Sequence, residues 1–385
     1  MWRRWALRTL TGLVVAGAGA GGWSAFWTLY DPEVRVAPPL VVVRPRRTTS
    51  ARVRLALAGD FAPTDAAMKI IRRRGYRYPY EATARILRDA DVSFANLEAP
   101  VTGSPEIFPL PKRWIYAVDP AATEAWRWLG LDVVSLANNH VTDHRDRGVL
   151  DTVRHLDAAG IAHVGAGAGE GAARRPVVFD VGGTRVGFLA YLEDRAQYNL
   201  YFRAFAVGDG VGCARFGLRD LTEDVRRLRR EVDVLVVSVH WGDNYRPITA
   251  SQREMARHLA DLGVDVVAGH HPHDVQGVEV RGKTVILYSL GNYAWGAIGH
   301  DTLRVGTIAR IDLVPRKGDA PARLSAVELL PIVTQNRFVR FRPRRIEAGE
   351  VRWLEPLLAE SRALGTPVEL DGTTIRVGLN TDQNL

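Results

Sequence analysis

The sequence alternates short apolar runs with amphipathic stretches, and this alternation restricts the fold more than any other feature. Five of the apolar runs are rich in β-branched residues, as buried strands are: VRLALA, DVSFA, DVVSLA, DVLVVSV and VDVVAG. Between them lie segments with helical periodicity, namely PYEATARILRDA, DTVRHLDAAG, LTEDVRRLRREV and SQREMARHLADLG. Strands that alternate with helices predict an α/β domain with a largely buried sheet.

Two longer segments predict hairpins on this body, because each carries two apolar runs around a short polar turn: PVVFDVGGTRVGFLAYL and VRGKTVILYSLGN. The 385 residues accommodate one large domain or two modest ones. We assign 51–345 to the principal domain, and we expect 346–385 to add a helix and a strand that close it. Prolines and arginines at 31–50 predict a linker before the domain.

The first 30 residues predict a membrane segment. Three basic residues, Arg3, Arg4 and Arg8, precede an uncharged stretch from 9 to 30 that is long enough to span a bilayer. Either the segment is kept as an anchor or, because small residues fill 16–22, it is a cleaved signal peptide. We favour the anchor, which predicts a single-pass cell-membrane protein with an extracytoplasmic domain; the alternative is secretion after cleavage.

Charge and cysteine content exclude several classes of protein. The net charge is +8, and arginines cluster at 72–78, 226–230 and 337–345. Such clusters suit an acidic lipid or an anionic polymer, while an extracytoplasmic position argues against nucleic acid as a partner. The single cysteine, Cys213, excludes a disulfide framework and a cysteine-based zinc site.

Polar side chains follow five of the predicted strands. The residues are Asp60, then Asn96 and Glu98, then Asn138, Asn139 and His140, then His240 and Asp243, and finally His270, His271 and His273. Open α/β sheets form their ligand crevice at the carboxyl ends of strands. Oxygen and nitrogen ligands together suit Mn, Fe or Zn, so we predict a site for one or two divalent ions. We interpret His155, His163 and His258, which lie on helix or loop patterns, as structural.

Each of these residues also has a simpler explanation when taken alone. Asp60 follows Gly59 and could cap a helix or turn. Asn138 and Asn139 could be turn residues, and His240 could be a buried histidine with its hydrogen bonds satisfied. Their joint occurrence at five strand ends favours the metal site.

Several blocks together resemble the capsule-synthesis CapA family, to which the poly-γ-glutamate synthesis protein PgsA also belongs. The blocks are AGD, ANLEAPVT, DVVSLANNHVTDHRDRGVLDT, SVHWGDNY, VDVVAGHHPHDVQGVEV and LYSLGNY, and they cover roughly 53–295. The family is similar to calcineurin-like metallophosphoesterases. The resemblance therefore implies two β-sheets between layers of helices, an α+β arrangement of four layers, around two metal ions.

The resemblance also implies roles for single residues. Its metal ligands correspond to Asp60, Asn139, His240 and the pair His271 and His273, with His270 as an alternative within the triplet. His140 corresponds to the histidine that protonates a leaving group, and Asp143 is placed to orient it. Two positions depart from the metallophosphoesterase pattern. Ala62 stands where a histidine ligand is usual, and only Asn96 or Glu98 can replace the bridging aspartate.

The function implied is a part in capsule or poly-γ-glutamate synthesis, with a metal-dependent phosphoesterase-like site. Expected partners are the membrane, an anionic polymer such as poly-γ-glutamate or a phosphorylated substrate, and other capsule-synthesis membrane subunits. Two alternatives stay open. The protein could be a non-catalytic subunit that binds the polyanion, or a metal-dependent hydrolase of another phosphoester or an amide.

Overall fold

The computed structural model describes residues 40–43, 52–109, 112–296, 304–318 and 320–379. The membrane segment predicted at 1–30 lies outside these residues. Within the predicted linker, Val41–Val43 instead forms a strand, because its backbone pairs with the edge of a sheet. In the described part of the chain, no helix is both long and apolar enough to cross a membrane.

The described residues form strands throughout the chain. In order they are β1 Val41–Val43, β2 Val53–Ala62, β3 Val92–Leu97, β4 Val133–Ser135, β5 Ala162–Val164, β6 Ala166–Ala168, β7 Val177–Val181, β8 Thr184–Leu192, β9 Val211–Cys213, β10 Val234–His240, β11 Val266–His270, β12 Val275–Arg281, β13 Thr284–Leu290, β14 Asn292–Trp295, β15 Val305–Val314, β16 Arg323–Val333, β17 Arg344–Arg345, β18 Val368–Asp371 and β19 Thr374–Val377.

The helices lie between these strands. They are α1 Ala67–Arg74, α2 Ala84–Arg88, α3 Ala122–Leu129, α4 Arg145–Ala159, α5 Glu170–Ala173, α6 Leu218–Arg229, α7 Ala250–Asp261, α8 Asn336–Val339 and α9 Glu355–Ala363, with 3-10 turns at Tyr78–Tyr80 and Ala348–Leu354 and a π turn at Gln197–Tyr201. Local sequence sets their ends. Helix α7 begins with a capping box, in which the side chains of Thr249 and Gln252 each accept from the other's backbone N–H.

Most of the strands form two large sheets, while β6 and β9 pair separately, and the predicted α/β class is confirmed. One sheet has the order β1-β7-β8-β10-β11-β13-β12, and the other has β18-β19-β16-β15-β2-β3-β4-β5, with β14 beside β2 and β17 beside β16. The strands from β8 to β13 are parallel in the first sheet, and those from β2 to the edge strand β5 are parallel in the second. Both predicted hairpins are confirmed, as β7 with β8 and β12 with β13.

The two sheets share one hydrophobic core. Phe94 of β3 stacks on Phe188 of β8, with ring centroids 5.9 Å apart. The other face of the first sheet packs on α6 and α7 in a second core cluster. On the second sheet, Trp126 of α3 packs edge-on against Phe61 of β2. Helices thus cover the two sheets on their outer sides.

Glycines bring the backbone close just before two of the strand ends. A Cβ on Gly59 would lie 1.9 Å from the carbonyl oxygen of Gly291, and a Cβ on Gly269 would lie 2.0 Å from that of Tyr288. Only glycine allows such an approach. These glycines let the neighbouring backbone approach β2 and β11 closely, directly before Asp60 and His270.

Two predicted helices are shorter than their patterns suggested. The segment PYEATARILRDA contributes only the 3-10 turn that holds Pro79, followed by the five residues of α2. In the C-terminal tail, a 3-10 turn precedes α9, and the tail then forms the hairpin of β18 and β19. Strand β19 pairs with β16, so the tail adds to the edge of the second sheet.

Candidate metal centre

Most of the predicted polar residues, which lie near or just beyond the carboxyl ends of β2, β3, β4, β10 and β11, converge in one cluster. The sequence predicted that they lie at the edge of one sheet, whereas in the structure they belong to two sheets whose strand ends meet at the cluster. Most of them are almost fully buried, namely Asp60, Asn96, Glu98, His140, His240, His270, His271 and His273, while Asn139 is half-buried. Polar groups buried at this density require partners or a bound ion.

Four side-chain atoms that could act as metal ligands, including Nε2 of His240, lie close to one another. This Nε2 lies 2.8 Å from Oδ1 of Asn139, 3.0 Å from Nδ1 of His271 and 3.5 Å from Oε1 of Glu98. Ligands about 2.1 Å from a single ion, at tetrahedral or octahedral angles, lie about 3.0 to 3.4 Å apart. We name Glu98, Asn139, His240 and His271 the four-ligand cluster, because its spacing matches that of atoms around one cation.

A second group, the three-ligand cluster, consists of Asp60, Glu98 and His273. One ligand atom from each of these residues lies within 4.8 Å of the others. Nε2 of His273 lies 3.9 Å from Oε1 of Glu98. Nδ1 of His273 donates to Oδ1 of Asn292 at 2.9 Å, and this contact orients the ring so that Nε2 is the nitrogen that faces Glu98.

Glu98 belongs to both clusters, and its surroundings fit a cation. Within the described part of the chain, neither carboxyl oxygen of this fully buried side chain has a hydrogen-bond partner. Burial raises the pKa of Glu98 well above its ordinary value, and the nearby charge of Asp60 raises it further. A buried carboxylate without donors is costly unless a positive charge compensates it, so the residues present fit a divalent ion.

Asp60 is held in place by two donors. The amide of Asn96 donates to Oδ1 at 2.8 Å, and the backbone N–H of His271 donates to Oδ2 at 3.1 Å. Burial alone would raise the pKa of Asp60, but the imidazoles of His270, His273 and His240 outweigh burial and hold this pKa below its usual range. Asp60 is therefore ready to act as an ionised ligand.

Asn96 and Glu98, the two candidates for the bridging position, differ in what their side chains contact. Oδ1 of Asn96 faces Nδ2 of Asn138 at 3.3 Å, and its own amide donates to Asp60. Asn96 thus uses its polar atoms to orient a neighbour. The carboxylate of Glu98 instead faces both clusters.

The three histidines of the triplet also differ in their contacts. His270 is fully buried, and its ring lies 5.9 Å from that of Phe94. Nδ1 of His270 is 3.2 Å from Oδ1 of Asp60, but neither ring nitrogen forms a hydrogen bond with another described residue. His271 and His273 have positive φ angles of 96° and 60°, and this strained turn brings both rings to the clusters.

His140 and Asp143 form a hydrogen-bonded pair beside the clusters. Nδ1 of His140 lies 2.7 Å from Oδ2 of Asp143, which also accepts from the backbone N–H of Tyr116 at 2.8 Å. Burial lowers the pKa of His140 to about 4, although Asp143 opposes this shift. Burial would raise the pKa of Asp143, but His140 and Lys112 together hold it below its ordinary value. At neutral pH the imidazole is thus uncharged and oriented by an ionised carboxylate.

Several further residues at the site were not predicted from the sequence. The ammonium of Lys112 donates to the backbone oxygen of Asn139 at 2.6 Å and to the carboxylate of Asp143, and its side chain is only 8% exposed. The ring of Tyr116 lies 4.5 Å from that of His140. Lys112 and Tyr116 occur in a segment without periodicity, EIFPLPKRWIYAVDP, so no pattern could have identified them. Asn292 lies in LYSLGNY, a block that carried the resemblance but suggested no role for it.

Other polar residues from the motifs have partners elsewhere. Asp243 pairs with Arg195 at 2.7 Å. His163 lies 3.4 Å from Asp157, and Nε2 of His258 lies 2.9 Å from the hydroxyl of Thr222. None of these residues reaches either cluster.

Comparison with known proteins identifies the family. Residues 54–296 match the profile of the family described as bacterial capsule synthesis protein PGA_cap. The chain is 26% identical to the capsule biosynthesis protein CapA of Bacillus anthracis, over 69% of this chain and 67% of that protein. It is 32% identical to a probable polyglutamine synthesis accessory protein of Mycobacterium tuberculosis, over 76% of this chain and 79% of that protein. It is also 26% identical to the PGA biosynthesis protein CapA of Bacillus subtilis, over 62% of each chain.

These matches confirm the resemblance drawn from the motifs. The matched region contains every residue of both clusters together with the His140–Asp143 pair. The chain belongs to the PGA_cap family of bacterial capsule synthesis proteins.

Proposed function

We propose that this protein serves capsule or poly-γ-glutamate synthesis through a divalent-metal site that cleaves a phosphoester. The observation that carries the proposal is Glu98, a buried carboxylate shared by two groups of ligand side chains. In metallophosphoesterases a bridging carboxylate holds two ions in this way. The two sheets with helices on their outer sides also agree with a fold of that type.

Each cluster would hold one ion, and Mn, Fe and Zn suit its mixture of nitrogen and oxygen donors. The four-ligand cluster offers two imidazoles, an amide and a carboxylate. The three-ligand cluster is one ligand poorer, because the buried methyl group of Ala62 stands two residues after Asp60. When bound, such ions supply charge stabilisation and an activated water for attack on phosphorus.

The remaining residues would orient the reaction. Asp143 fixes the His140 ring through Nδ1, so that Nε2 is the nitrogen left to exchange a proton with the leaving group. His140 is neutral in the free site and must gain a proton before it can donate one. The negative charge of a bound phosphate would favour that protonation.

Hydrolysis of an aryl phosphate tests this function. Full-length protein in detergent, loaded with manganese, should release the phenol product. His140→Ala should abolish the release while manganese stays bound, because His140 is not in either cluster. The control is His258→Ala, which alters a histidine outside the site. Release that continues unchanged in His140→Ala would refute the assignment.

We also propose that the protein is anchored in the cell membrane with the domain outside the cytoplasm. The basic residues before the apolar segment at 9–30 support this orientation. Protease added to intact spheroplasts should digest the domain. Complete protection would contradict the topology.

A second candidate function is a non-catalytic subunit that binds the anionic polymer. Ala62 favours it, because a missing ligand weakens one ion and with it the two-metal chemistry. Under this alternative the protein binds manganese and yet cleaves neither aryl phosphates nor a capsule precursor. The same hydrolysis assay therefore separates the two functions.

A further inference from the structure

Arginine and aromatic side chains form an exposed surface at the end of the second sheet. We call it the arginine–aromatic surface: Arg304, Arg337, Phe338, Arg340, Arg352 and Trp353. The rings of Phe338 and Trp353 stack with centroids 6.1 Å apart and an interplanar angle of 19°. The guanidinium of Arg337 lies 5.6 Å from the Phe338 ring, and that of Arg304 lies 5.5 Å from the Trp353 ring. Phe338 is 50% exposed, so this stack faces solvent.

Positive charge dominates this part of the chain. Residues 336–354 contain six arginines and two glutamates. Both glutamates, Glu347 and Glu350, contact Arg344 at 3.5 and 2.8 Å and so compensate a neighbouring arginine. Among the described residues, Arg304, Arg340 and Arg352 have no acidic partner. Arg304 contacts the stacked rings, and Arg340 and Arg352 lie one or two residues from them in the chain, so the surface presents uncompensated guanidinium groups that attract an anion.

The backbone at this surface is strained. Helix α8 ends at Arg340, which has a φ of 50°, and Phe341 follows with a φ of 62°. Two successive bulky residues with positive φ are unusual and cost stability. The turn ends the helix early and leaves the side chain of Arg340 exposed.

The surface is connected to the metal centre through Trp295. The side-chain amide of Asn336, the first residue of α8, donates to the backbone oxygen of Trp295 at 2.9 Å. The ring of Trp295 in turn lies 4.4 Å from the ring of His273, a member of the three-ligand cluster. Helix α8, which carries part of the surface, is therefore two contacts away from the metal centre.

We propose that the arginine–aromatic surface binds a polycarboxylate chain of the poly-γ-glutamate type beside the metal centre. The identity of the polymer rests on the proposed function, whereas the surface itself rests on the contacts between its arginines and the stacked rings of Phe338 and Trp353. Guanidinium groups pair with carboxylates through two parallel hydrogen bonds. The exposed rings would contact the methylene groups that separate the carboxylates along such a chain. The surface thus offers partners for both the charged and the apolar parts of this polymer.

The test compares two triple variants with the same loss of charge. Full-length protein in detergent is titrated into labelled poly-γ-glutamate of uniform length, and binding is followed by fluorescence anisotropy at two salt concentrations. Arg304→Gln, Arg340→Gln and Arg352→Gln together should weaken binding about tenfold, as expected for the loss of three exposed ion pairs. The control replaces the exposed arginines 72, 73 and 74 of α1 with glutamine and should weaken binding less than about twofold.

Several results would overturn the proposal. An equal loss of affinity in both triple variants would mean that the polymer responds only to net charge. Wild-type protein that binds no polymer would refute the surface directly, as would tighter binding of single-stranded DNA of matched charge. Melting temperatures of both variants verify that each is folded.

Manganese titrations on the same preparations separate this proposal from the proposed function. Wild-type protein that binds manganese, together with a surface variant that keeps full polymer affinity, refutes the surface alone. Protein that binds the polymer through the surface but takes up no manganese refutes the metal site alone.

Discussion

Replacing Glu98 by glutamine should have opposite effects on the metal-free and the metal-bound protein. Glutamine keeps the shape of the side chain but removes its capacity for negative charge. Without metal, the substitution relieves a buried carboxyl group that has no donors and lies close to Asp60. With metal, it removes the one ligand common to both clusters. We therefore expect Glu98→Gln to stabilise the metal-free protein and to abolish its stabilisation by manganese.

The size of both effects follows from the surroundings of Glu98. A buried polar group without a partner costs about 1–3 kcal/mol, and the glutamine amide can donate to a neighbouring carboxylate. The free energy of unfolding of the metal-free protein should rise by up to that amount, which corresponds to about 1.5–4 °C in melting temperature for a domain of about 330 residues. Manganese at 100 times its dissociation constant should stabilise the wild type by about 2.7 kcal/mol for each site. Most of that gain should vanish in the variant.

The pH dependence gives the effect a second signature. The pKa of Glu98 in the folded protein is raised above its ordinary value of 4.5. Between these two values the folded state keeps a proton that the unfolded state has released, so the metal-free wild type loses stability as pH rises. Above the raised pKa the loss is complete. Glu98→Gln has no such proton, and its stability should lack this contribution.

Scanning calorimetry with a chelator and with manganese measures these quantities directly. Glu254→Gln is the matched control, because Glu254 is exposed on α7 and belongs to neither cluster. The reasoning would be refuted by a Glu98→Gln variant that is less stable than wild type without metal and is stabilised equally by manganese. Glu98 would then be a structural acceptor instead of a ligand.

Three other substitutions test separate parts of the site. His271→Ala should lower bound manganese, measured by elemental analysis, whereas His155→Ala should not; equal metal content in both would remove His271 from the cluster. Lys112→Met should reduce kcat about tenfold or more with little change in KM, because the ammonium fixes the loop that carries the proton-transfer pair. Lys112→Arg should restore part of the lost kcat, and an unchanged kcat in Lys112→Met would contradict this role. Ala62→His should tighten manganese binding at the weaker site, measured by calorimetric titration. Crowding in this buried position should lower the free energy of unfolding by about 1–3 kcal/mol. A titration identical to that of the wild type would show that the added imidazole reaches no ion.

The sequence located the site because most of its residues lie near or just beyond the carboxyl ends of strands. Asp60, His240 and His271 each come at or just after the end of an apolar run, and parallel strands bring such ends together. What the runs could not show is that two different sheets contribute them. That arrangement depends on the packing of Phe94 on Phe188, which is a contact between distant parts of the chain.

The choice between neighbouring candidates also needed the structure. Asn96 and Glu98 are two residues apart, but Asn96 lies within β3 and Glu98 follows its end, where the backbone leaves the strand geometry. Lys112 was beyond prediction for a different reason. It lies in a loop without periodicity, 27 residues before Asn139, and only tertiary contact reveals their interaction.

The central claim is that Glu98 joins two metal sites, and the position of bound manganese tests it most directly. Crystals of the protein grown with manganese should show two anomalous-scattering peaks about 3.5–4 Å apart on either side of the Glu98 carboxylate. The stronger peak should lie in the four-ligand cluster with His240 and His271, and the weaker one beside Asp60 and His273. Manganese bound elsewhere, or no peak near Glu98 at saturating manganese, would contradict the account.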